Sequence, residues 1–436
     1  MRAGLLLAAT FACAAGQSAA GGFANGAPRY WPKFGGARKV ELLDGQWSYG
    51  FVDGYDSGFD SMSPEFQPTP SDTPNKTAVP SCSDVVAGGA PGFLGPRGVA
   101  MYSTTFSSPA AAETPMRLQF QSCSFYCRVF VNGQEVGDHR AGGYVAFWLD
   151  VAASILMQQG KANTLFVIAD NRFNATTAPM HTGGDFWHYG GLTRSVELHT
   201  MAPKQQLVLW RAYALPTGVD FTLAAPVAKP DSIDLTLALS DANFSGAVSF
   251  SLAFDTGPAT PMTGSAKDGE LKLTKVAVPS PKLWSPGDPN LHTLTVTLNG
   301  GSVTERFGLR SFGTDKETAR LSINGEVTKL VGWNHHTQWP VTAASPTDSQ
   351  MDDDIKLLKQ GNANYVRGAH YPHDPRMLDR FDEAGILFWS ETLGPGVSLA
   401  NTQDWGFFMK YQLQQLEQML DNAMNHAAIL TCEWYM

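Results

Sequence analysis

Arg367, His370 and Tyr371 stand in the run Arg-Gly-Ala-His-Tyr-Pro, which closes a short apolar strand and precedes a helix. A guanidinium, an imidazole and a phenol donate and accept hydrogen bonds in fixed directions, which suits the hydroxyl-rich face of a sugar. Asn334, His335 and His336 follow an apolar segment upstream, and Glu391 follows another downstream. Any one of these residues could be a helix cap or half of a surface ion pair. Three successive strands that all end in such groups point instead to a site, because the C-terminal loops of a parallel βα array converge on one face. The chemistry expected is recognition of carbohydrate.

His335, His336 and His370 raise the alternative of a zinc centre. Adjacent residues on an extended chain point to opposite sides, and no His-Glu-x-x-His motif accompanies them, so no metal and no other cofactor is expected. Nor does the spacing of the five cysteines match a zinc or redox motif. Cys123 and Cys127, read as lying on one strand, would sit roughly 13 Å apart, too far for a mutual bridge unless the strand bends. They are expected as core-filling thiols, with a bridge from one of them to Cys82 as the alternative.

A chain of 436 residues accommodates two to four domains, and its formal charge of -9 without a Lys/Arg cluster speaks against nucleic acid or an anionic membrane surface as partner. Arg2, the apolar run from Leu5 to Ala15 and the small residues Ser18-Ala19-Ala20 read as a signal peptide over residues 1–20, so a secreted or lumenal location is expected. That run is too short to span a bilayer, and no later run reaches about 18 uninterrupted apolar residues. Asn75, Asn174 and Asn243 begin acceptor sequons that fit this route in a host that glycosylates.

Three regions must position the polar groups. Residues 21–202 alternate apolar and polar positions in short stretches such as Met116 to Phe120 and Arg128 to Val131, with Asn132-Gly133 as a hairpin turn, which predicts a β-sandwich or jelly roll. Residues 203–312 alternate again over Leu235 to Leu239, Val248 to Leu252 and Leu294 to Leu298, and are the size of an immunoglobulin-like sandwich. Over 313–436 apolar strands at Lys329 to Gly332, Ala363 to Val366, Ile386 to Trp389 and Ala428 to Thr431 alternate with helical stretches. The first helix is bracketed by a capping box at Thr347 and Gln350 and by Gly361, the second by Asp374-Pro375 and Gly385. A third, from about Asp404 to Met424, is expected to turn Leu413, Leu416 and Leu420 inward.

Several ordered motifs carry a family resemblance: Leu43-Asp44-Gly45-Gln46-Trp47, Gly142-Gly143-Tyr144-Val145-Ala146-Phe147, Asp185 to Val196, Phe307-Gly308-Leu309-Arg310, Trp333 to His336, Arg367 to Pro372, and Asp382 to Ile386 with Glu391. Together they resemble glycoside hydrolase family 2, which includes β-galactosidases, β-glucuronidases and β-mannosidases. The resemblance implies a galactose-binding-like jelly roll, an immunoglobulin-like β-sandwich and a (β/α)8 TIM barrel, here incomplete. It implies a β-glycoside substrate and retaining hydrolysis by two carboxyl groups about 5 Å apart. It places Asp185, Asn334, His336, Arg367, His370, Tyr371 and Glu391 around the sugar, with Trp333, Trp339 and Trp389 as stacking platforms or core. After Ile429-Leu430-Thr431 the sequence departs from the family's Trp-x-x-x-Asn-Glu and reads Cys432-Glu433-Trp434-Tyr435-Met436. Glu433 falls too early for the acid/base, so both catalytic glutamates are expected beyond Met436 and the chain is expected to be inactive alone. The alternative is a secreted carbohydrate-binding protein with a vestigial barrel.

Overall fold

The computed structural model describes residues 30–54, 57–87, 96–108, 116–140, 142–158, 160–172, 186–201, 207–217, 229–315, 317–394 and 405–433. The expected signal peptide, the sequon at Asn174 and the candidate Asp185 lie outside them. Two antiparallel sheets form the first module. The six-stranded one runs Asn75–Val79, Gly45–Asp53, Gly98–Ser107, Ala162–Asp170, Tyr126–Val131, Gln134–His139, and the four-stranded one Lys39–Leu42, Val196–Thr200, Met116–Phe120, Phe147–Val151. Their inward residues, among them Trp47, Tyr102, Leu118, Phe120, Val129 and Val167, share one core, as period-two alternation requires. Asn132 and Gly133, at φ 52° and 78°, make the hairpin turn the sequence predicts.

The second module is an eight-stranded antiparallel sheet around its own core of Leu235, Leu237, Phe250, Leu252, Leu294, Val296 and Phe307. One of its strands comes from outside the expected 203–312 span: Lys33–Gly36 pairs with Gly301–Phe307. Among the described residues, the chain therefore adds a strand to the second module before it builds the first.

The third region holds a four-stranded parallel sheet, Gly332–His335, Tyr365–Gly368, Leu387–Glu391 and Ile429–Glu433, in chain order. These strands sit one to three residues further along than the apolar runs suggest. The ladder continues through the polar residues, with Asn334 paired to Arg367 and Arg367 to Trp389, because backbone pairing is indifferent to side-chain polarity. Helices Asp348–Gln360 and Pro375–Ala384 start at Thr347 and Asp374 and stop at Gly361 and Gly385, as expected. The third helix, Trp405–Ala423, is rotated from the expected register. Leu413 and Leu420 are exposed, and the buried stripe is Phe408, Gln412, Gln415, Met419 and Ala423. Two glutamines are drawn inward because the loop after the third strand needs partners: Gln412 Nε2 donates to the Leu393 carbonyl at 2.9 Å, and Gln415 Oε1 accepts from Leu393 N–H. No helix among the described residues is long and apolar enough to cross a membrane.

The cysteine expectation is overturned. Cys123 and Cys127 form a disulfide, with Cα atoms 5.9 Å apart. They do not share a strand, because Met116–Phe120 ends before Cys123 and the chain turns there to cross from one sheet to the other. Cys82 is a free thiol, buried against Thr342 and Ser345 of the third region.

Buried polar contacts lock the modules together. Arg194 of the first module donates to the Tyr144 carbonyl at 2.7 Å and to the Pro372 carbonyl of the barrel at 2.8 Å. Burial works against the charge of Asp374 beside it, but Arg376 and Arg194 outweigh that and hold its carboxyl at about 2. Arg310 of the second module donates to the carbonyls of Ala427 and His426, and Trp284 Nε1 to that of Asp382.

His139 joins the first module to the third helix. It stacks on Phe147 with centroids 4.0 Å apart, and its Nε2 pairs with Gln418 Oε1 at 2.9 Å. Burial lowers its pKa to about 4. Because the folded state favours the neutral ring, this contribution is intact above about pH 6.5 and is lost as the pH falls from there toward 4. His139→Gln is expected to flatten the fall in unfolding free energy across that window by on the order of 3 kcal/mol, read from denaturant titrations at each pH. An unchanged slope would contradict the assignment.

Candidate functional site

Three parallel strands deliver the polar groups. Asn334 and Arg367 are register partners on adjacent strands, so they share one face of the sheet, with Trp389 beside Arg367 on the third. Just beyond, the loops after the first and second strands bring His336 and His370 together, ring centroids 5.3 Å apart and edge to face. Glu391 ends the third strand and lies beneath them. Its carboxylate accepts from Arg367 Nε, from Arg367 Nη2 at 3.2 Å and from His370 Nδ1 at 3.2 Å. The contact at Nδ1 sets the orientation of the His370 ring.

Exposure divides the predicted residues into two groups. The Arg367 side chain keeps 29% of its surface and that of His370 12%, whereas Glu391 has none. Tyr371 is 1% exposed, and burial pushes its phenol well above its usual pKa. Glu391 and Tyr371, expected to touch sugar, are therefore buried where Arg367 and His370 keep exposed surface. A carboxyl group at the buried end of a strand between a guanidinium and an imidazole is consumed in orienting them. Tyr371 stacks on Tyr144 of the first module at 4.2 Å, and its Oη stands 3.5 Å from His336 Nδ1. Asn334 is exposed.

The two adjacent histidines separate as an extended chain requires. His335 turns toward the helices, where its Nδ1 meets His373 Nε2 at 3.1 Å and its Nε2 meets Asp354 at 3.1 Å. Trp339 donates to the same Asp354, and exposed Trp333 packs over Gly361 at the end of the first helix. Of the three candidate platforms only Trp389 lies on the face of Arg367. The described His/Cys/Asp/Glu group with metal-like spacing, Asp379, Asp382 and His426, is elsewhere, at the joint with the second module. Arg306 Nη2 already lies 3.0 Å from Asp379 and 3.9 Å from Asp382 there.

The first module closes one side. Phe186, next to Asp185, lies with its ring centroid 5.2 Å from that of His336, 5.7 Å from His370 and 5.4 Å from Tyr371. Its segment is fixed from below by buried Asp84, which accepts from Trp187 Nε1 at 2.9 Å and from Gly190 N–H at 2.7 Å. Arg97 donates to the His188 carbonyl at 3.1 Å. Phe186 and Tyr144 are absent from the sequence-based set of site residues. Their signal was aromatic residues beside Asp185 and Gly142-Gly143, and aromatic residues are so common in cores that the type alone does not separate wall from core.

Three family models match in succession. Residues 67–202 match Glycosyl hydrolases family 2, sugar binding domain, residues 219–310 match Glycosyl hydrolases family 2, and residues 316–433 match Glycosyl hydrolases family 2, TIM barrel domain. The chain belongs to glycoside hydrolase family 2. A putative β-glucuronidase of Formosa agariphila is 30% identical over 323 residues, 72% of this chain and 36% of that protein. A β-glucuronidase of Bacteroides fragilis is 26% identical over 358 residues, covering 78% and 49%. The family 2 chain thus spans between a third and a half of the length of these relatives. The fold is that of the solved Bifidobacterium dentium β-glucuronidase complexed with coumarin-3-O-glucuronide, with a TM-score of 0.76 at 23% identity over 92% of this chain and 69% of that one.

Glu391→Gln keeps the shape of the side chain and removes its charge. It is expected to lower the unfolding free energy by about 2 kcal/mol, the scale of hydrogen bonds to a charged group. Urea unfolding of the two proteins measures the difference, and a change within about 0.5 kcal/mol would show that the carboxylate does not organise Arg367 and His370.

Proposed function

We propose that this chain supplies the sugar-holding part of a retaining exo-β-glycosidase of β-glucuronidase or β-galactosidase type. The observation that carries the reading is the convergence of His336 with His370 and Arg367, the last two oriented by one buried carboxylate, beside an aromatic wall from the first module. Imidazole and guanidinium groups fixed in this way present donors and acceptors to ring hydroxyls at low entropic cost. An aromatic wall fits the apolar C–H faces of a pyranose. Asn334 joins Arg367 on the same face, and Asp185, outside the described residues, enters the proposal only through the family resemblance. The guanidinium, held but partly exposed, also suits the carboxylate of a uronic acid, and the names of the relatives above favour β-glucuronides over β-galactosides.

Retaining cleavage needs an acid/base and a nucleophile about 5 Å apart. Glu391 serves neither role on this reading, since both of its oxygens are engaged with Arg367 and His370. The chain's own part is to grip and orient the sugar. Secretion is part of the proposal: it is supported by the disulfide, a bond that persists in oxidising compartments, and by the N-terminal apolar run. Glycosylation is part of it too, supported by the exposure of Asn75 and Asn243.

Titration calorimetry of the full chain with D-glucuronate and D-galactose, alongside turnover of the corresponding aryl β-glycosides, tests the reading. Saturable binding of one sugar is expected, weakened about tenfold or more by Arg367→Lys, which keeps the charge but loses the fork. Binding without turnover would fit a sugar-holding role, and absence of binding to either sugar would overturn the proposal.

A further inference from the structure

We infer that the disulfide-closed turn from Cys123 to Cys127 is a positioning element of the sugar-facing wall, acting through Phe125; this rests on the reading that the wall meets sugar. The turn touches both first-module segments that border the site. Ser124 and Gly191 exchange backbone hydrogen bonds at 3.0 and 3.1 Å, which anchors the segment carrying Phe186. Ser124 Oγ donates to the Gly143 carbonyl at 3.0 Å, which anchors the segment carrying Tyr144. The contact with Gly143 is so close that a Cβ there would fall 2.4 Å from Ser124 Cα, so only glycine fits.

Phe125 sits between the two cysteines and is fully buried. Its ring centroid lies 5.8 Å from that of Tyr144 and 5.8 Å from that of His188. With Tyr144, Phe186, Tyr371 and Leu393 it forms one apolar cluster that joins the sandwich to the loops after the second and third barrel strands. Phe186 and Tyr371 in turn pack on His336. The turn therefore supports the wall from behind. A cross-link between residues four apart removes conformations from a short segment that crosses between two sheets, and here those conformations would carry Phe125 out of the cluster.

The test compares the full chain with Cys123→Ala/Cys127→Ala and with Phe125→Leu, which keeps the disulfide. Without sugar, amide hydrogen exchange is expected to rise about tenfold in residues 142–147 and 186–192 of both variants. Exchange in the strands Gly98–Ser107 and Ala162–Asp170 is expected to stay as it was. D-glucuronate affinity should fall about tenfold. Unchanged exchange in the two segments would overturn the inference, and so would a rise spread evenly over the whole sandwich, which marks a general staple. Should the cysteine variant fail to fold, Phe125→Leu decides by the same criteria. Should the unaltered chain bind neither D-glucuronate nor D-galactose, the proposed function falls, while the exchange pattern still decides whether the turn positions the wall.

Discussion

A carboxyl group taken fully out of water must find partners, and the partners Glu391 finds are Arg367 and His370, the two groups proposed to meet a sugar. Arg367 is a long, rotamer-rich side chain and His370 can rotate about its own bonds. Glu391, at the buried end of a strand, fixes both at once. The remaining surface of each then faces outward in a set direction, so little ordering is left to be done when a ligand arrives. His336 is packed beside them against Phe186 and Tyr371.

The wall depends on the joint between modules as much as on the barrel. Arg194 reaches from the sandwich to carbonyls on both sides of the joint, and Tyr144 stacks on Tyr371 across it. Such a stacked pair contributes about 0.5–1.5 kcal/mol beyond the area it buries. Its larger consequence is geometric: a displacement of the sandwich would move Phe186 and Tyr144 relative to His336 and His370. Arg310 and Trp284 clamp the second module to the underside of the same barrel strands and helices, so the chemically quiet module still fixes the platform.

Much of this arrangement was legible in residue order. Period-two alternation gave the sandwiches, and caps at Thr347, Asp374 and Gly385 gave two helices almost to the residue. The third helix was misread because Leu413 and Leu420 look like a core stripe, while the inward Gln412 and Gln415 look like surface. Only the need of the Leu393 backbone for partners, set by a loop distant in sequence, decides between them. Cys123 and Cys127 were misread for a related reason: the bend that brings them together comes from the passage between two sheets, which local pattern does not show. Among the candidate site residues, chemical type singled out Arg367, His336 and His370, which the fold brings together, but type does not show which of several polar groups stays exposed. Glu391 and Tyr371 went behind the others because the strand end and the module joint buried them.

The most direct measurement is imidazole NMR of the full chain during titration with D-glucuronate and D-galactose, with each histidine assigned by substitution. The signals of His336 and His370 are expected to shift together and saturate at one dissociation constant, while His139 and His292, in the first and second modules, stay fixed. Shifts confined to other histidines, or separate constants for His336 and His370, would contradict a single sugar site at this convergence.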